Sequence, residues 1–145
     1  MHKSVPVIEK KIKIPILHIA DSTASRIKAK GLKTVGLLGT NFTMEQDFYK
    51  GRLTENHGLN VMIPNETDRQ IVHRAIYDEL CLGIVKDESR KEYLRIMAKM
   101  QSQGAQAIIE GCTEIVMLVS QEHTDIPLFD TTSIHAEAAV EMALA

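Results

Sequence analysis

Cys112 is the side chain whose surroundings are best suited to chemistry. It follows a short apolar run, Ala107 to Ile109, and precedes Thr113 and Glu114, which suit the first turn of a helix. A strand is predicted to end and a helix to begin around Cys112, which is where ligands bind in an open α/β sheet. A helix N-terminus also favours the thiolate. We expect Cys112 to be more reactive than Cys81, although a free cysteine often serves as a small buried hydrophobic residue.

Hydroxyl and amide groups lie at a second predicted junction between a strand and a helix. Thr40, Asn41 and Thr43 follow Gly39, where a turn leads into the next helix. The free backbone amides at a helix start bind anions, so these residues are candidates for holding a carboxylate. Thr113 offers its N–H and its hydroxyl to the same ligand. The alternative for the threonines is a helix cap, which selects the same residue type.

The sequence has no pattern typical of metal or nucleotide binding. Its histidines and cysteines form no His-x-x-x-His pair and no Cys-x-x-Cys pair, so we expect no metal site. Gly36-x-x-Gly39 is not a dinucleotide fingerprint. A hydrolase in which Cys112 pairs in space with a histidine stays open as an alternative. The histidines are His2, His18, His57, His73, His123 and His135.

Length and composition indicate one ordinary globular domain. The chain has 145 residues, of which 44% are hydrophobic and 25% charged. A net charge of −2, no tryptophan and 4% aromatic residues argue against nucleic-acid binding. No apolar run has transmembrane length, so no membrane partner is expected. Two cysteines without a secretory signal indicate reduced thiols and a cytoplasmic location.

Predicted strands alternate with predicted helices along the whole chain. This alternation requires right-handed crossovers and predicts an α/β fold with a mainly parallel sheet flanked by helices. The predicted strands are Ile14–Ile19, Thr34–Leu38, Leu59–Ile63, Ala107–Ile109 and Ile126–Phe129. The predicted helices are Val5–Ile12, Asp21–Ala29, Thr43–Glu55, Asp68–Leu82, Asp87–Met100, a helix after Cys112, and Thr131–Leu144.

The segment around Cys112 resembles a known family. Glu110-Gly111-Cys112-Thr113-Glu114 is similar to the second cysteine motif, Gly-Cys-Thr-Glu, of the aspartate/glutamate racemases. Three further segments stand in the family's order and at similar separations: Val35–Thr40, Ile76–Leu80 and Ile126–Asp130. The resemblance runs over the whole chain.

The resemblance implies a two-lobed fold of which this chain holds one complete lobe and pieces of the other. Residues 33–130 correspond to the second lobe, residues 1–32 to a remnant of the first, and residues 131–145 to a C-terminal helix that packs toward the first lobe. Met1-His2 resembles the end of the segment that follows the family's first catalytic residue. We therefore expect a truncated chain with exposed apolar faces, which favour a homo-oligomer.

The resemblance also implies cofactor-independent racemisation of aspartate or glutamate, with Cys112 as one of two acid/base groups. The partner would be a small amino acid or dicarboxylate. By the resemblance Thr40 contacts the substrate, and the helix face shared by Tyr77 and Cys81 approaches it. We expect Cys81 itself to be buried and structural.

Two alternatives follow from the same resemblance. One is a related isomerase or decarboxylase of small carboxylic acids on the same scaffold. The other is a truncated subunit without catalytic activity, which binds a small carboxylate or pairs with another subunit.

Overall fold

A four-stranded parallel sheet forms the centre of the computed structural model, which describes residues 4–145. Its strands are β1 (Thr34–Leu38), β2 (Asn60–Met62), β3 (Ile108–Glu110) and β4 (Leu128–Asp130), in the order β2-β1-β3-β4. Every neighbouring pair is parallel, so the predicted fold class is confirmed. The helices are α1 (Val5–Glu9), α2 (Ile19–Ala29), α3 (Asn41–Glu45), α4 (Lys50–Glu55), α5 (Glu66–Asp78), α6 (Asp87–Ser102), α7 (Ile115–Leu118) and α8 (Thr131–Leu144).

Apolar side chains cover both faces of the sheet. Ile108 packs with α5, α6 and α7 on one face, whereas Ile109 packs with α2, α4 and α8 on the other. Successive side chains of a strand point to opposite faces, and here both faces are buried. This explains why the strands carry continuous apolar runs instead of alternating with polar residues.

The predicted strand Ile14–Ile19 is wrong. These residues join no strand of the sheet, and α2 already begins at Ile19. Pro15 cannot donate to a ladder, and the His18 ring caps α2 by accepting the backbone N–H of Ala20 at 3.1 Å. The expectation placed on Met1-His2 lies outside the described residues.

Three predicted helices are shorter or broken in the structure. The helix expected over Val5–Ile12 ends at Glu9. The helix expected over Thr43–Glu55 is two helices, α3 and α4, because the backbone of Gln46 is extended and ends α3. The helix expected to reach Leu82 ends at Asp78, and a separate 3₁₀ turn covers Leu80–Leu82. The helix Thr131–Leu144 is confirmed, with Asp130 as its cap.

An ion-pair network ties α2 to α4. Both carboxylate oxygens of Asp21 accept hydrogen bonds from Arg52, at 2.8 and 2.7 Å, and His57 Nε2 lies 2.8 Å from Asp21 Oδ1. Burial alone would raise the pKa of Asp21, but the hydrogen bonds from Arg52 and His57 outweigh it and lower the pKa to about 2. Since α8 packs on α2, the segments expected to be pieces of another lobe are held against the sheet.

Candidate active site

Cys112 and Thr40 leave neighbouring strands at the same edge of the sheet. Leu38 of β1 pairs with Glu110 of β3, and the N–H of Gly111 donates to the Leu38 carbonyl at 2.8 Å. Both chains then continue past the carboxyl ends of parallel strands, where ligands bind in open α/β sheets. The prediction that the strand ends before Thr40 and Cys112 lie side by side at one edge of the sheet is therefore confirmed.

The turn from Thr40 to Thr43 is closed by its own hydroxyl groups. Thr40 Oγ1 accepts the Thr43 N–H at 3.4 Å and lies 3.3 Å from Thr43 Oγ1. The Thr43 methyl group packs over Gly39 and Gly111, 3.2 and 3.3 Å from where their Cβ atoms would stand. Thr43 thus touches the loop that carries Cys112.

The backbone amides of this turn are less free than the sequence suggested. The Thr43 N–H is taken by Thr40, and the Asn41 N–H donates to His73 Nδ1 at 3.2 Å. The side-chain oxygen of Asn41 is buried and has no hydrogen-bond partner. Any anion held here would therefore meet the threonine hydroxyls more readily than these two amides.

His73 is a site neighbour that the sequence reasoning missed. It lies on α5 one turn before Tyr77, and their ring centroids are 4.8 Å apart. Tyr77 is half exposed. The i, i+4 spacing of the two rings was a visible signal, but nothing in the sequence indicated that His73 binds the backbone 32 residues away.

The Cys112 thiol is protonated and hydrogen-bonded to a carboxylate. Its Sγ donates to Glu114 Oε2 at 3.0 Å. Burial, and then Glu114, raise the pKa of Cys112 to about 12, while this hydrogen bond lowers the pKa of Glu114. The helix predicted after Cys112 is present as α7, but the expectation that its start favours the thiolate is wrong, because α7 begins only at Ile115 and has four residues. Thr113 is exposed in the turn between Cys112 and α7.

A cavity of about 710 Å³ lies elsewhere, beside α3 and α4. Its lining includes Glu45, Asp47 and Glu55, whose charges repel a carboxylate ligand. Arg52 also lines it, but this guanidinium is already paired with Asp21. None of the predicted site residues lines it. We therefore place the candidate site at the sheet edge that carries Cys112.

Comparison with known proteins identifies the family of this chain. The sequence profile of the family described as Asp/Glu/hydantoin racemase matches residues 1–139. The chain belongs to this family. The resemblance inferred from the motif around Cys112 is thereby confirmed.

Several members of the racemase family are similar over most of this chain. The broad specificity amino-acid racemase RacX of Bacillus subtilis is 25% identical, over 95% of this chain and 59% of RacX. A candidate Asp/Glu racemase from Yersinia pestis, known from its crystal structure, is 54% identical with a TM-score of 0.97, over 100% of this chain and 63% of that one. An aspartate racemase homologue from Pyrococcus horikoshii OT3 is 32% identical with a TM-score of 0.90, over 99% and 63%. This racemase-family chain spans about three fifths of the length of these relatives.

The described part of this racemase-family chain forms neither a membrane-spanning helix nor a cluster of metal ligands. No helix formed by residues 4–145 is both long and apolar enough to span a bilayer. In the same range, no group of three or more His, Cys, Asp or Glu side chains is placed to hold a metal ion.

The two thiols of the racemase-family chain are expected to react in the opposite order to the sequence-based prediction. Cys81 is exposed on its 3₁₀ turn, which corrects the expectation that it is buried. We expect iodoacetamide to modify Cys81 before Cys112 at neutral pH, because only a thiolate reacts and burial suppresses it at Cys112. Peptide mapping by mass spectrometry measures both rates.

A variant tests the cause of this protection. Glu114→Gln removes the carboxylate beside the sulfur and is expected to speed labelling of Cys112 by up to about tenfold, the effect of one pKa unit. Glu122→Gln, on an exposed glutamate away from the site, is the control and should change nothing. Wild-type Cys112 labelling ahead of Cys81 would contradict this account.

Glu110 is a buried carboxyl group two residues before Cys112. It is 3% exposed, pairs in register with Asp130 of β4, and its Oε1 atom has no hydrogen-bond partner. Burial, with a smaller contribution from Asp130, raises the pKa of Glu110 to about 7. The sequence analysis missed this group, because an acidic residue that ends an apolar run looks like a solvent-facing strand end.

Glu110 should make the fold less stable as pH rises. The pKa of Glu110 is about 7 in the folded state and near 4.5 in the unfolded chain. The contribution of Glu110 to the free energy of unfolding is therefore greatest below pH 4.5 and falls as the pH rises from 4.5 to about 7. We expect Glu110→Gln to abolish this fall and to stabilise the protein above pH 7 by up to about 3 kcal/mol. Urea unfolding at several pH values measures it, with Glu122→Gln as control. An unchanged pH dependence in Glu110→Gln would refute the shifted pKa.

Proposed function

We propose that this chain takes part in cofactor-independent racemisation of aspartate or glutamate, by proton transfer at the α-carbon with Cys112 as one acid/base group. One observation carries the proposal: Cys112, paired with Glu114, leaves the sheet at the same edge as the hydroxyl pair of Thr40 and Thr43. A proton-transfer group and the donors that fix the substrate must lie close together. Membership of the family supplies the reaction class.

The proton transfer begins from the thiol–carboxylate pair. In the free protein the Cys112 thiol donates a hydrogen bond to Glu114, whose carboxylate has a lowered pKa and takes the thiol proton only when a bound substrate lowers the pKa of the thiol. A bound amino acid brings its ammonium group near the sulfur, and a positive charge favours the thiolate. The thiolate then removes the α-proton, and a proton added to the opposite face of the carbanion yields the other enantiomer. The reaction needs two acid/base groups, and we assign only the one that removes the α-proton, which is Cys112.

The substrate would be held by hydroxyl groups around the sulfur. We assign this role to Thr40, Asn41, Thr43, Thr113 and Tyr77. The two hydroxyls of the Thr40 turn lie within 3.3 Å of each other and suit one carboxylate. Thr113 and Tyr77 are exposed and leave room for the second. The buried, unpartnered oxygen of Asn41 suits a donor such as the ammonium group.

The two-lobe organisation and self-association are part of the same proposal. We assign residues 33–130 to the second lobe of the family fold, and residues 1–32 and 131–145 to segments that adjoin the first. Exposed apolar side chains in both flanking segments support a homo-oligomer. They are Val7, Ile8, Ile12 and Ile14, and Val140, Met142 and Leu144. The two free thiols, Cys81 and Cys112, are in keeping with a cytoplasmic protein.

A substrate panel tests the proposal. Both enantiomers of aspartate, glutamate and several neutral amino acids are incubated with the protein without pyridoxal phosphate, and chiral chromatography follows the appearance of the opposite enantiomer. We expect inversion of aspartate or glutamate above that of neutral amino acids. Inversion of neutral amino acids alone would refute the assigned substrate, and release of CO₂ from a small dicarboxylate would indicate a decarboxylase instead.

One observation favours a second candidate, a carboxylate-binding subunit without turnover. The resting thiol is protonated, with a pKa of about 12, and gains a base only if the substrate changes its surroundings. Binding of aspartate by calorimetry, without inversion of either enantiomer, would support this second function over the first.

A further inference from the structure

The short helix α3 is held by α5 at two separate points. At the site end, the Asn41 N–H donates to His73 Nδ1 at 3.2 Å. At the far end, Arg69 Nε donates to Glu45 Oε1 at 2.9 Å, and Arg69 Nη1 donates to the carbonyl of Pro64 at 2.8 Å. Only the first of these contacts touches a residue of the proposed carboxylate-binding turn.

The contact at the site end fixes the chemistry of the histidine. Because Nδ1 accepts a hydrogen bond from a backbone N–H, it carries no proton, and the proton of the neutral ring is on Nε2. The ring is also held by its tilted contact with Tyr77, 4.8 Å between centroids. His73 therefore reaches the turn in a defined tautomer and a defined orientation.

The turn is packed through Thr43 on Gly111 and through the buried Met44, but it has few other polar attachments. Thr40 and Thr43 bond each other at 3.3 and 3.4 Å, and these hydrogen bonds close the turn internally without joining it to another element. The Asn41 side-chain oxygen is buried without a partner and gives no anchor. Since α3 ends after five residues, the His73 bond is the polar attachment of this turn to the helix beside it.

We infer that His73 is a positioning residue for the proposed reaction: by accepting the Asn41 N–H it holds the Thr40 and Thr43 hydroxyls where they meet a substrate carboxylate. This inference rests on the proposed function. His73 does not itself touch the reacting carbon. Its loss should weaken carboxylate binding more than it slows proton transfer at Cys112.

Two substitutions separate the hydrogen bond from ring packing. His73→Asn places an amide oxygen where Nδ1 stands and keeps the acceptor, whereas His73→Phe keeps a ring beside Tyr77 and loses the acceptor. Arg69→Gln, which breaks the far contact between α5 and α3, is the matched control. Aspartate binding is measured by NMR titration, the hydrogen-exchange rate of the Asn41 amide by NMR, and KM and kcat by chiral chromatography.

We expect His73→Phe to raise the Kd and KM for aspartate about tenfold with kcat nearly unchanged, the loss typical of one hydrogen bond. The Asn41 amide should exchange faster in this variant. His73→Asn and Arg69→Gln should stay within about threefold of wild type in Kd. Equal increases of the Kd in His73→Phe and His73→Asn, or faster exchange of the Asn41 amide without weaker aspartate binding, would overturn the inference. If the wild type binds aspartate but does not invert it, the proposed racemisation fails while the Kd and exchange data still decide the role of His73.

Discussion

Replacing Cys112 with alanine is expected to lower the kcat/KM for inversion of aspartate or glutamate by at least about 10²-fold, and up to about 10⁴-fold, the range of a positioned acid/base group. The substitution removes the only atom of this side chain that exchanges a proton, and it leaves the hydroxyls of the Thr40 turn in place. KM should therefore change little. Initial rates by chiral chromatography give both constants.

The control for this loss is Cys81→Ala, which removes the other thiol of the chain from an exposed 3₁₀ turn. It should leave kcat/KM within about threefold of wild type, as surface substitutions usually do. If Cys81→Ala abolished inversion and Cys112→Ala did not, the acid/base group would lie on the 3₁₀ turn after α5 and the assigned site would be wrong.

Gly111→Ala is expected to destabilise the fold by about 2–3 kcal/mol, near the top of the range for forced overpacking. A Cβ atom at Gly111 would stand 2.8 Å from the Leu38 carbonyl oxygen and 2.9 Å from Leu37 Cδ1. Backbone cannot move aside as a flexible side chain can, so β1 and β3 must separate where Cys112 leaves the sheet. Urea unfolding measures the loss of stability.

The same substitution should lower kcat/KM by about 10²-fold, because a displacement of about 1 Å at a reacting group has that effect. Gly58→Asn is the control: Gly58 has a positive φ of 70° and open space around it, and asparagine tolerates that conformation. It should be nearly neutral. A Gly111→Ala protein as stable and active as wild type would show that the strands do not approach this closely.

The parts of the fold that the sequence predicted well are those where local pattern and tertiary packing agree. Thr34–Leu38 is buried on both faces and was recognised as a continuous apolar strand. The final helix was placed over Thr131–Leu144. The failure at Ile14–Ile19 has a physical cause, since an apolar run forms a strand only if a neighbour offers a ladder, and sequence pattern does not reveal that.

The candidate site was predictable in location but not in its electrostatics. Two junctions after parallel strands must meet at one sheet edge, which brought Thr40 and Cys112 together. The protonation of Cys112 depends on its burial and on how the Glu114 side chain folds back. The contact of His73 with Asn41 and the raised pKa of Glu110 depend on partners distant in the chain or across the sheet, which no local spacing encodes.

Solvent exchange at the α-carbon tests the central claim most directly. Each enantiomer of aspartate and of glutamate is incubated with the wild-type protein in D₂O, and ¹H NMR follows the loss of the α-hydrogen signal. We expect the α-hydrogen to be replaced by deuterium first when the added enantiomer is the one whose α-hydrogen faces Cys112. The Cys112→Ala protein should incorporate no deuterium at the α-carbon. Absence of deuterium from both enantiomers of a bound amino acid, or incorporation that survives Cys112→Ala, would contradict it.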